Sequence, residues 1–146
     1  MTERDHGHRG LVDTNILILS DQLDRAQLPS HTAISAVTLA ELAAGPGYVT
    51  GTDLQSVRER SRRIETWQRA ERAYVPIPFD DTAARMYGQM CSLVTAVGRS
   101  PRARTADLMI AATAAVEQIA LYTTNPNDFR GLEELVQVVA VTRPRT

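Results

Sequence analysis

Short apolar runs alternate along the chain with longer segments that have helical spacing. The apolar runs predict buried strands that end at Asp13 and that span 32–37, 120–124 and 136–141. The longer segments predict helices, with a final helical turn, at 15–21, 38–44, 52–73, 81–97, 105–119 and 131–135. Because strands and helices alternate, we expect an α/β fold whose mostly parallel sheet carries helices on both faces.

Local sequence also predicts some helix ends and one sheet edge. Thr52 and Gln55 have the spacing of a capping box, and Asp80 or Asp81 would cap the helix that follows. Two prolines in the extended segment 74–78 favour an edge position in the sheet. In the 81–97 helix the apolar residues are spaced for burial, namely Ala84, Tyr87, Met90, Cys91 and Val94.

The length of 146 residues favours a single domain, which we place at 10–146 behind a flexible tail at 1–9. His6 and His8 in that tail could bind a metal ion, but an unstructured tail is the favoured interpretation. The single cysteine, Cys91, cannot form an internal disulfide, which fits a reducing compartment. No apolar run reaches membrane-spanning length, so we expect a cytoplasmic protein without a membrane segment.

The charged residues narrow the chemistry only slightly. A net charge of −1 is no general signal for polyanion binding, so any contact with nucleic acid must come from local patches. All 16 basic residues are arginine, which excludes mechanisms that need a lysine ammonium group. The guanidinium group matches phosphate geometry well, although genome composition explains the bias equally well.

Three acidic residues stand at predicted strand-to-helix junctions. Asp13 follows the first strand, Glu41 lies in the helix after the second strand, and Asp107 lies in the first turn of the 105–119 helix. If these junctions are neighbours, three carboxylates converge in one cleft, and they cannot all stay ionised without a cation. Oxygen ligands without His or Cys indicate a hard divalent ion rather than zinc.

Each acid also has a structural alternative. Asp13 could cap the helix after it, and Asp107 could interact with the dipole of its own helix. Thr38 and Glu41 have the spacing of a capping box. Asp128, in the segment NPNDF, could form a turn with its own backbone.

Four motifs together resemble those of PIN-domain ribonucleases, specifically VapC toxins of VapBC toxin–antitoxin pairs. They are LVDTN at 11–15, SAVTLAELAAGP at 35–46, RTADLMIAATA at 105–115 and YTTNPNDF at 122–129. The resemblance implies a PIN-like three-layer α/β/α fold and endoribonuclease activity that depends on Mg²⁺ or Mn²⁺. It also implies inhibition by a VapB-type antitoxin that docks near the 52–72 helix, a homodimer, and an RNA substrate, which in this family is commonly tRNA.

The resemblance assigns site residues position by position. Asp13, Glu41 and Asp107 match the three core acids of the family. Asn125 stands where many relatives have Asp, so Asp128 could take over as the fourth acid, while Asn125 could still bind the metal or a water through its side-chain oxygen. Thr14, Asn15 and Thr123 are candidates to orient the carboxylates through hydrogen bonds. For Thr14 and Asn15, helix capping is the alternative.

Substrate RNA would be held by its backbone, with single-stranded bases accessible. The candidate contacts precede the Asp107 helix: Arg99, Arg102 and Arg104. A second basic set lies on the 52–73 helix, where a solvated face paired with Glu59, Glu65 and Glu71 is the favoured interpretation: Arg58, Arg60, Arg62, Arg63, Arg69 and Arg72. Tyr48 and Trp67 are possible stacking residues, although core or partner packing suits Trp67 better.

Three other functions fit parts of the sequence less well. A PIN-like module that binds RNA or protein without cleaving is motivated by Asn125 in place of an acid. A phospho-acceptor receiver domain also places Asp at strand ends, but it relies on a lysine that this chain lacks. A histidine-based ribonuclease is disfavoured because His31 has no matching nucleophile motif.

Overall fold

Four parallel strands form the central sheet of the protein, whose computed structural model describes residues 8–144. The strands are β1 (Arg9–Val12), β2 (His31–Ala33), β3 (Ala120–Thr123) and β4 (Val138–Ala140). Their order in the sheet is β2-β1-β3-β4, and every pairing is parallel. The parallel α/β prediction is therefore confirmed.

Helices connect these strands and cover the sheet. Residues 8–144 contain five α-helices: α1 (Thr14–Ile18), α2 (Ala36–Ala44), α3 (Leu54–Ala73), α4 (Asp81–Ala96) and α5 (Thr105–Glu117). Short 3-10 turns lie at Ser20–Gln22, Arg25–Gln27, Gly45–Tyr48, Pro101–Arg104 and Pro126–Phe129. No helix in the described range is both long and apolar enough to cross a membrane.

Successive strand residues face opposite sides of the sheet and join two separate cores. On one side, strand residues pack with α4 and α5 through Leu11, Ala33, Leu121, Met90, Val94 and Leu108. On the other side, strand residues pack with α1, α2 and α3 through Val12, Tyr122, Ile16, Leu42 and Ala70. The period-two alternation of strands thus produces the three layers, helices–sheet–helices.

Some predicted boundaries were wrong because side-chain caps lie elsewhere. Ser35, not Thr38, caps α2, since its hydroxyl accepts a hydrogen bond from Val37 N at 3.0 Å. The predicted 32–37 strand therefore ends early, and Ser35 makes only an isolated bridge with Ile77. That bridge gives the proline-containing segment 74–78 an edge contact.

Other ends differ in the same way. Asp53, not Thr52, caps α3 by accepting a hydrogen bond from Ser56 N. At α4 the prediction of Asp80 or Asp81 is confirmed, and Asp80 is the cap. Segment 131–135 forms turns without a regular helix. On α4 the buried alanine is Ala83, one position before the predicted one; Ala84 is exposed.

The N-terminal segment enters the fold earlier than predicted. Arg9, placed in the tail by the sequence, is the first residue of β1. His8 Nε2 lies 2.7 Å from the Tyr122 hydroxyl, so His8 contacts the sheet. His6 and the proposed His-x-His metal pair lie outside the described residues.

Gly10 allows the close approach of Tyr122 to β1. A Cβ atom at Gly10 would lie 2.4 Å from Tyr122 Cε1 and 2.9 Å from Pro29 Cβ. Both distances are far below van der Waals contact, so only glycine fits where these residues meet.

Candidate active site

Three of the predicted acids line one cleft beside the carboxyl end of β1. Asp13 directly follows β1, Glu41 projects from α2, and Asp107 lies in the first turn of α5. The cleft has a volume of about 650 Å³. Asp13, Thr14, Asn15, Glu41 and Asp107 are among its lining residues. The tertiary fold thus brings together carboxylates up to 94 positions apart in the chain (from 13 to 107).

Hydrogen bonds hold Asp13 in one orientation. Oδ1 accepts from Ile16 N at 3.2 Å, so Asp13 does cap α1. Oδ2 accepts from the Thr123 hydroxyl, whose oxygen in turn accepts from Asn125 N at 2.9 Å. Only 5% of Asp13 is exposed, so this carboxylate is both buried and fixed. Capping and a role in the site are therefore compatible for Asp13.

Glu41 contacts the start of α1 through Thr14. The Thr14 hydroxyl donates to Glu41 Oε1, and Thr14 Oγ1 lies 3.2 Å from Thr38 Oγ1. Glu41 is exposed, and Thr38 is fully buried inside α2. The capping-box interpretation of Thr38 and Glu41 is wrong, because Ser35 caps this helix. Instead, Thr14 and Thr38 connect α1 to α2 at the edge of the cleft.

The electrostatics of the cleft favour protonation of its acids. The pKa of Asp107 is raised from 3.8 to about 6, first by burial and then by repulsion from Asp128, Glu41 and Asp13; Arg104 opposes the rise. The pKa of Asp13 is also raised, mainly by burial, although hydrogen bonds from Thr123 and Ile16 oppose the shift. A negative charge is therefore costly here without a compensating cation.

These residues fit a hard divalent cation in charge and donor type. All candidate donors are oxygen atoms, which Mg²⁺ and Mn²⁺ prefer. In the conformation described for residues 8–144, no three His, Cys, Asp or Glu side chains are close enough to hold a metal ion directly. The exposed Glu41 side chain, turned towards Thr14, is the most adjustable of the three. Water-mediated ligation or a rotation of Glu41 would complete such a site.

The two candidates for the fourth ligand lie outside the cleft lining. Asp128, in the Pro126–Phe129 turn, forms an ion pair with Arg104 in which Nη1 and Oδ1 are 2.9 Å apart. It still raises the pKa of Asp107 by repulsion. The Asn125 side chain lies 3.5 Å from Thr124 Oγ1, and its backbone N–H supports Thr123. Asp128 thus acts on the site electrostatically, and Asn125 contributes its backbone.

The three arginines predicted to bind RNA have different environments. Arg99 donates to the carbonyl oxygen of Asn127 at 2.6 Å, which ties the 98–104 loop to the 126–129 turn. Arg104 is paired with Asp128. Arg102 is exposed and forms no ion pair within the described residues. The structure therefore gives two of these arginines intramolecular partners.

Helix α3 forms much of the opposite side of the cleft, which the sequence indicated only as a basic helix. Its lining residues include Arg62, Arg63, Thr66 and Arg69. Acidic neighbours pair with these arginines, as the solvated-face alternative predicted: Arg62 and Arg63 pair with Glu59, and Arg69 pairs with Glu65. Trp67 is half-buried against the core and donates to Glu71.

Two site-supporting residues were missed at the sequence level, Thr38 and Ser35. Both are fully buried. Ser35 Oγ lies 3.5 Å from Thr113 Oγ1, so the cap of α2 contacts α5. A single sequence does not distinguish Ser35 and Thr38, in the segment SAVT, from other small hydroxyl residues. Only their burial in the fold does so.

Comparison with known proteins agrees with this geometry. Residues 10–135 match the PIN domain family. The chain is 34% identical over 132 residues to ribonuclease VapC5 of Mycobacterium tuberculosis, over 88% of this chain and 91% of that protein. The crystal structure of VapBC-5, a toxin–antitoxin system of the same organism, matches with a TM-score of 0.75 and 32% identity, over 93% of this chain and 99% of the other.

A more distant structure matches in fold alone. VapBC2 of Rickettsia felis, bound to a DNA fragment from its promoter, has a TM-score of 0.62 at 19% identity, over 91% of this chain and 98% of the other. A parallel sheet between two helical layers, with a carboxylate cleft beside one strand end, is the structural class. The chain belongs to the PIN domain family and, within it, to the VapC ribonucleases of toxin–antitoxin systems. The resemblance found in the sequence is confirmed.

Proposed function

We propose that this protein is the toxin of a toxin–antitoxin pair and an endoribonuclease that uses Mg²⁺ or Mn²⁺ held by Asp13, Glu41 and Asp107. The observation that carries the proposal is the convergence of these carboxylates from three elements into one cleft. The raised pKa of Asp107 supports it, because burial and then repulsion from the neighbouring carboxylates disfavour its ionised form. Ribonucleases of the VapC group generally depend on a divalent metal ion, which agrees with this donor set.

The chain's own residues divide the work as follows. Asp13 offers a carboxylate whose position is set by Ile16 and Thr123. The pKa of Asp107 is about 6 in the metal-free protein, so its carboxyl group is partly protonated near that pH, and a cation held there would favour the ionised form. A divalent cation held by these carboxylates would lower the pKa of a bound water and offset charge on the phosphoryl oxygens. Water would then be the nucleophile in cleavage of the phosphodiester.

Asp128 and Asn125 remain our candidates for completing the site, with Thr14, Asn15 and Thr123 as residues that orient the carboxylates. Arg102 is the arginine before α5 that is most available to a phosphate, because Arg99 and Arg104 have intramolecular partners. Thr14 already donates to Glu41, and Thr123 to Asp13. Both contacts are of the kind that sets the direction of a carboxylate.

The partner proposed for this toxin is a VapB-type antitoxin. The VapBC-5 structure that matches this chain is a toxin–antitoxin system. We expect the antitoxin to dock near α3, the toxin to form a homodimer and to act in the cytoplasm, and tRNA to be a substrate. Co-expression with the product of an adjacent small reading frame would test the partner, since growth arrest by the toxin should then be relieved.

The activity is tested by incubating purified protein with end-labelled single-stranded RNA. Cleavage should require Mg²⁺ or Mn²⁺, stop with EDTA, and fall more than about 100-fold in Asp13→Asn and Asp107→Asn, since each loses a proposed ligand. The matched control is Asp81→Asn, an exposed carboxylate of α4 whose ion pair is with Arg85. It should cleave like the wild type.

A second control separates this activity from a contaminating ribonuclease. If water is the nucleophile, a substrate with a single 2′-deoxy sugar at the cleaved position should still be cut there. An enzyme that uses the 2′-hydroxyl would not cut that substrate. Identical cleavage by wild type and Asp13→Asn would refute the proposal.

A further inference from the structure

The turn that carries Tyr48 is held from both ends by helix α3. Arg63 Nη1 donates to the carbonyl oxygen of Gly45 at 3.0 Å. Arg60 Nη2 donates to the carbonyl oxygens of Val49 and Gly51 at 3.0 and 2.9 Å. Two arginines one helical turn apart thus fix the Gly45–Tyr48 turn and the residues after it.

Arg63 is itself held in place by Glu59. Its Nε donates to Glu59 Oε2 at 2.8 Å, and Pro46 further restricts the backbone of the turn. An exposed turn with these constraints loses little conformational freedom on binding a ligand. It is therefore a preorganised element rather than a mobile loop.

Tyr48 is presented by this turn to solvent at the cleft. Its exposed fraction is 75%, large for an aromatic side chain, and it lines the same cleft as Asp13, Glu41 and Asp107. Among the lining residues in the described part of the chain it is the only aromatic one. No other aromatic ring within residues 8–144 stacks on it.

We propose that Tyr48 is a platform on which one base of single-stranded RNA stacks beside the phosphate that is cleaved. The inference rests on the proposed ribonuclease function and names how the same cleft selects its substrate. A base in a duplex has both faces covered, so a stacking platform favours unpaired nucleotides. Arg62 and Arg69 line the same cleft, where a phosphate of the strand would compete for them with Glu59 and Glu65, their partners on α3.

RNA suits this surface better than an apolar protein segment does. Most residues that line the cleft with Tyr48 are charged or polar, and its aliphatic lining residues are Ile18 and Leu42. A cation at the carboxylates and the arginines of α3 would both attract phosphates. A nucleotide would stack its base on the Tyr48 ring and place its phosphate near these positive charges.

Binding without cleavage provides the test. In EDTA, the affinity of a fluorescent oligoadenylate of eight nucleotides is compared with that of an abasic oligomer of the same length by anisotropy. Tyr48→Ala should bind oligoadenylate about 5- to 150-fold more weakly, the loss expected for one stacked base. It should bind the abasic oligomer as the wild type does, and Tyr48→Phe should behave as the wild type with both.

Arg60 provides an independent check because it is not among the cleft-lining residues and acts through the turn. Arg60→Gln should weaken oligoadenylate binding in the wild-type background and have little further effect in Tyr48→Ala. Equal losses in both backgrounds would mean that Arg60 either contacts RNA directly or stabilises the whole fold. Either result would overturn its role in positioning Tyr48.

The outcomes separate the platform from the nuclease. The platform is rejected if Tyr48→Ala binds oligoadenylate normally, or if it loses affinity for both oligomers equally. If Tyr48 is needed for base binding but no metal-dependent cleavage occurs, the platform stands and the proposed nuclease function fails. If cleavage depends on Asp13 but not on Tyr48, the nuclease stands and the platform fails.

Discussion

Thr123 orients Asp13 through a hydrogen bond between residues 110 positions apart in the sequence. Its hydroxyl donates to Asp13 Oδ2, while Asn125 N donates to Thr123 Oγ1 at 2.9 Å. Thr123 is completely buried at the end of β3, next to β1 in the sheet. This buried hydrogen bond fixes the Asp13 carboxylate in one orientation, which a ligand of a cation requires.

Replacement of Thr123 with valine keeps the side-chain volume and removes the donor. We expect a loss of about 1 to 3 kcal/mol in the free energy of unfolding, because a buried carboxylate oxygen loses its partner. Mn²⁺ affinity measured by calorimetry should fall about 10- to 100-fold. Thr113→Val is the control, since Thr113 is equally buried but its hydroxyl contacts Met109 O and Ser35 Oγ rather than Asp13. Unchanged Mn²⁺ affinity in Thr123→Val would contradict the orienting role.

Asp107 should make the metal-free protein less stable at neutral pH. Its pKa rises from 3.8 to about 6 on folding, so between these values the folded state binds the proton more tightly than the unfolded state. The stability contributed by Asp107 therefore falls as the pH rises through this window and stays unfavourable above it. Asp107→Asn should be more stable than the wild type by about 1 to 2 kcal/mol at pH 7.5, a value reduced for solvent screening.

Urea denaturation in EDTA at several pH values measures this difference. The stabilisation by Asp107→Asn should be small at pH 4 and should grow towards pH 7. Asp53→Asn is a control of opposite sign, because the Ser56 hydrogen bonds lower the pKa of Asp53 and its charge favours the fold above its titration range. If the stability difference between Asp107→Asn and the wild type does not vary with pH, the pKa of Asp107 is not raised by folding.

Arg104 should lower the pH at which the site becomes active. It lowers the pKa of Asp107 and neutralises Asp128 at 2.9 Å, while Asp128 raises that pKa. In Arg104→Gln both changes raise the pKa of Asp107 above about 6. The acidic limb of the pH–cleavage profile should shift to higher pH, whereas Arg102→Gln should weaken RNA binding without moving the limb; an unmoved limb in Arg104→Gln would rule out this electrostatic role.

Gly10 and Gly88 should respond in opposite directions to alanine. Gly10→Ala places a Cβ atom 2.4 Å from the Tyr122 ring and should cost about 1 to 3 kcal/mol of unfolding free energy. Gly88 lies inside α4 with nothing within 4 Å of the new Cβ atom, so Gly88→Ala should stabilise by about 0.5 to 1 kcal/mol. Thermal denaturation of both variants checks the pair, and a neutral Gly10→Ala would mean that Tyr122 moves without cost.

Helix starts show where sequence patterns were insufficient. The spacing of Thr38 and Glu41 fits a capping box, but Ser35 is the residue with extended backbone and an accepted hydrogen bond. Thr52 and Asp53 present the same choice, and Asp53 caps the helix. Adjacent Ser, Thr and Asp residues offer equivalent caps locally, and packing of the helix decides among them.

The sequence by itself determined the layered parallel fold, because alternating strand and helix periods leave few other ways to bury both sheet faces. It also predicted Asp13, Glu41 and Asp107 as site acids, since its motifs place acids at strand-to-helix junctions of a recognisable family. Tertiary structure decided the environment of those acids. Asp13 accepts a hydrogen bond from Thr123 and Glu41 accepts one from Thr14. Burial and repulsion raise the pKa of Asp107. Tertiary structure also decided that Asp128 pairs with Arg104 and that Arg60 and Arg63 hold the Tyr48 turn. The physical reason is that hydrogen bonds and Coulomb interactions depend on distances between residues remote in sequence, whereas strand and helix periodicity depends on neighbours.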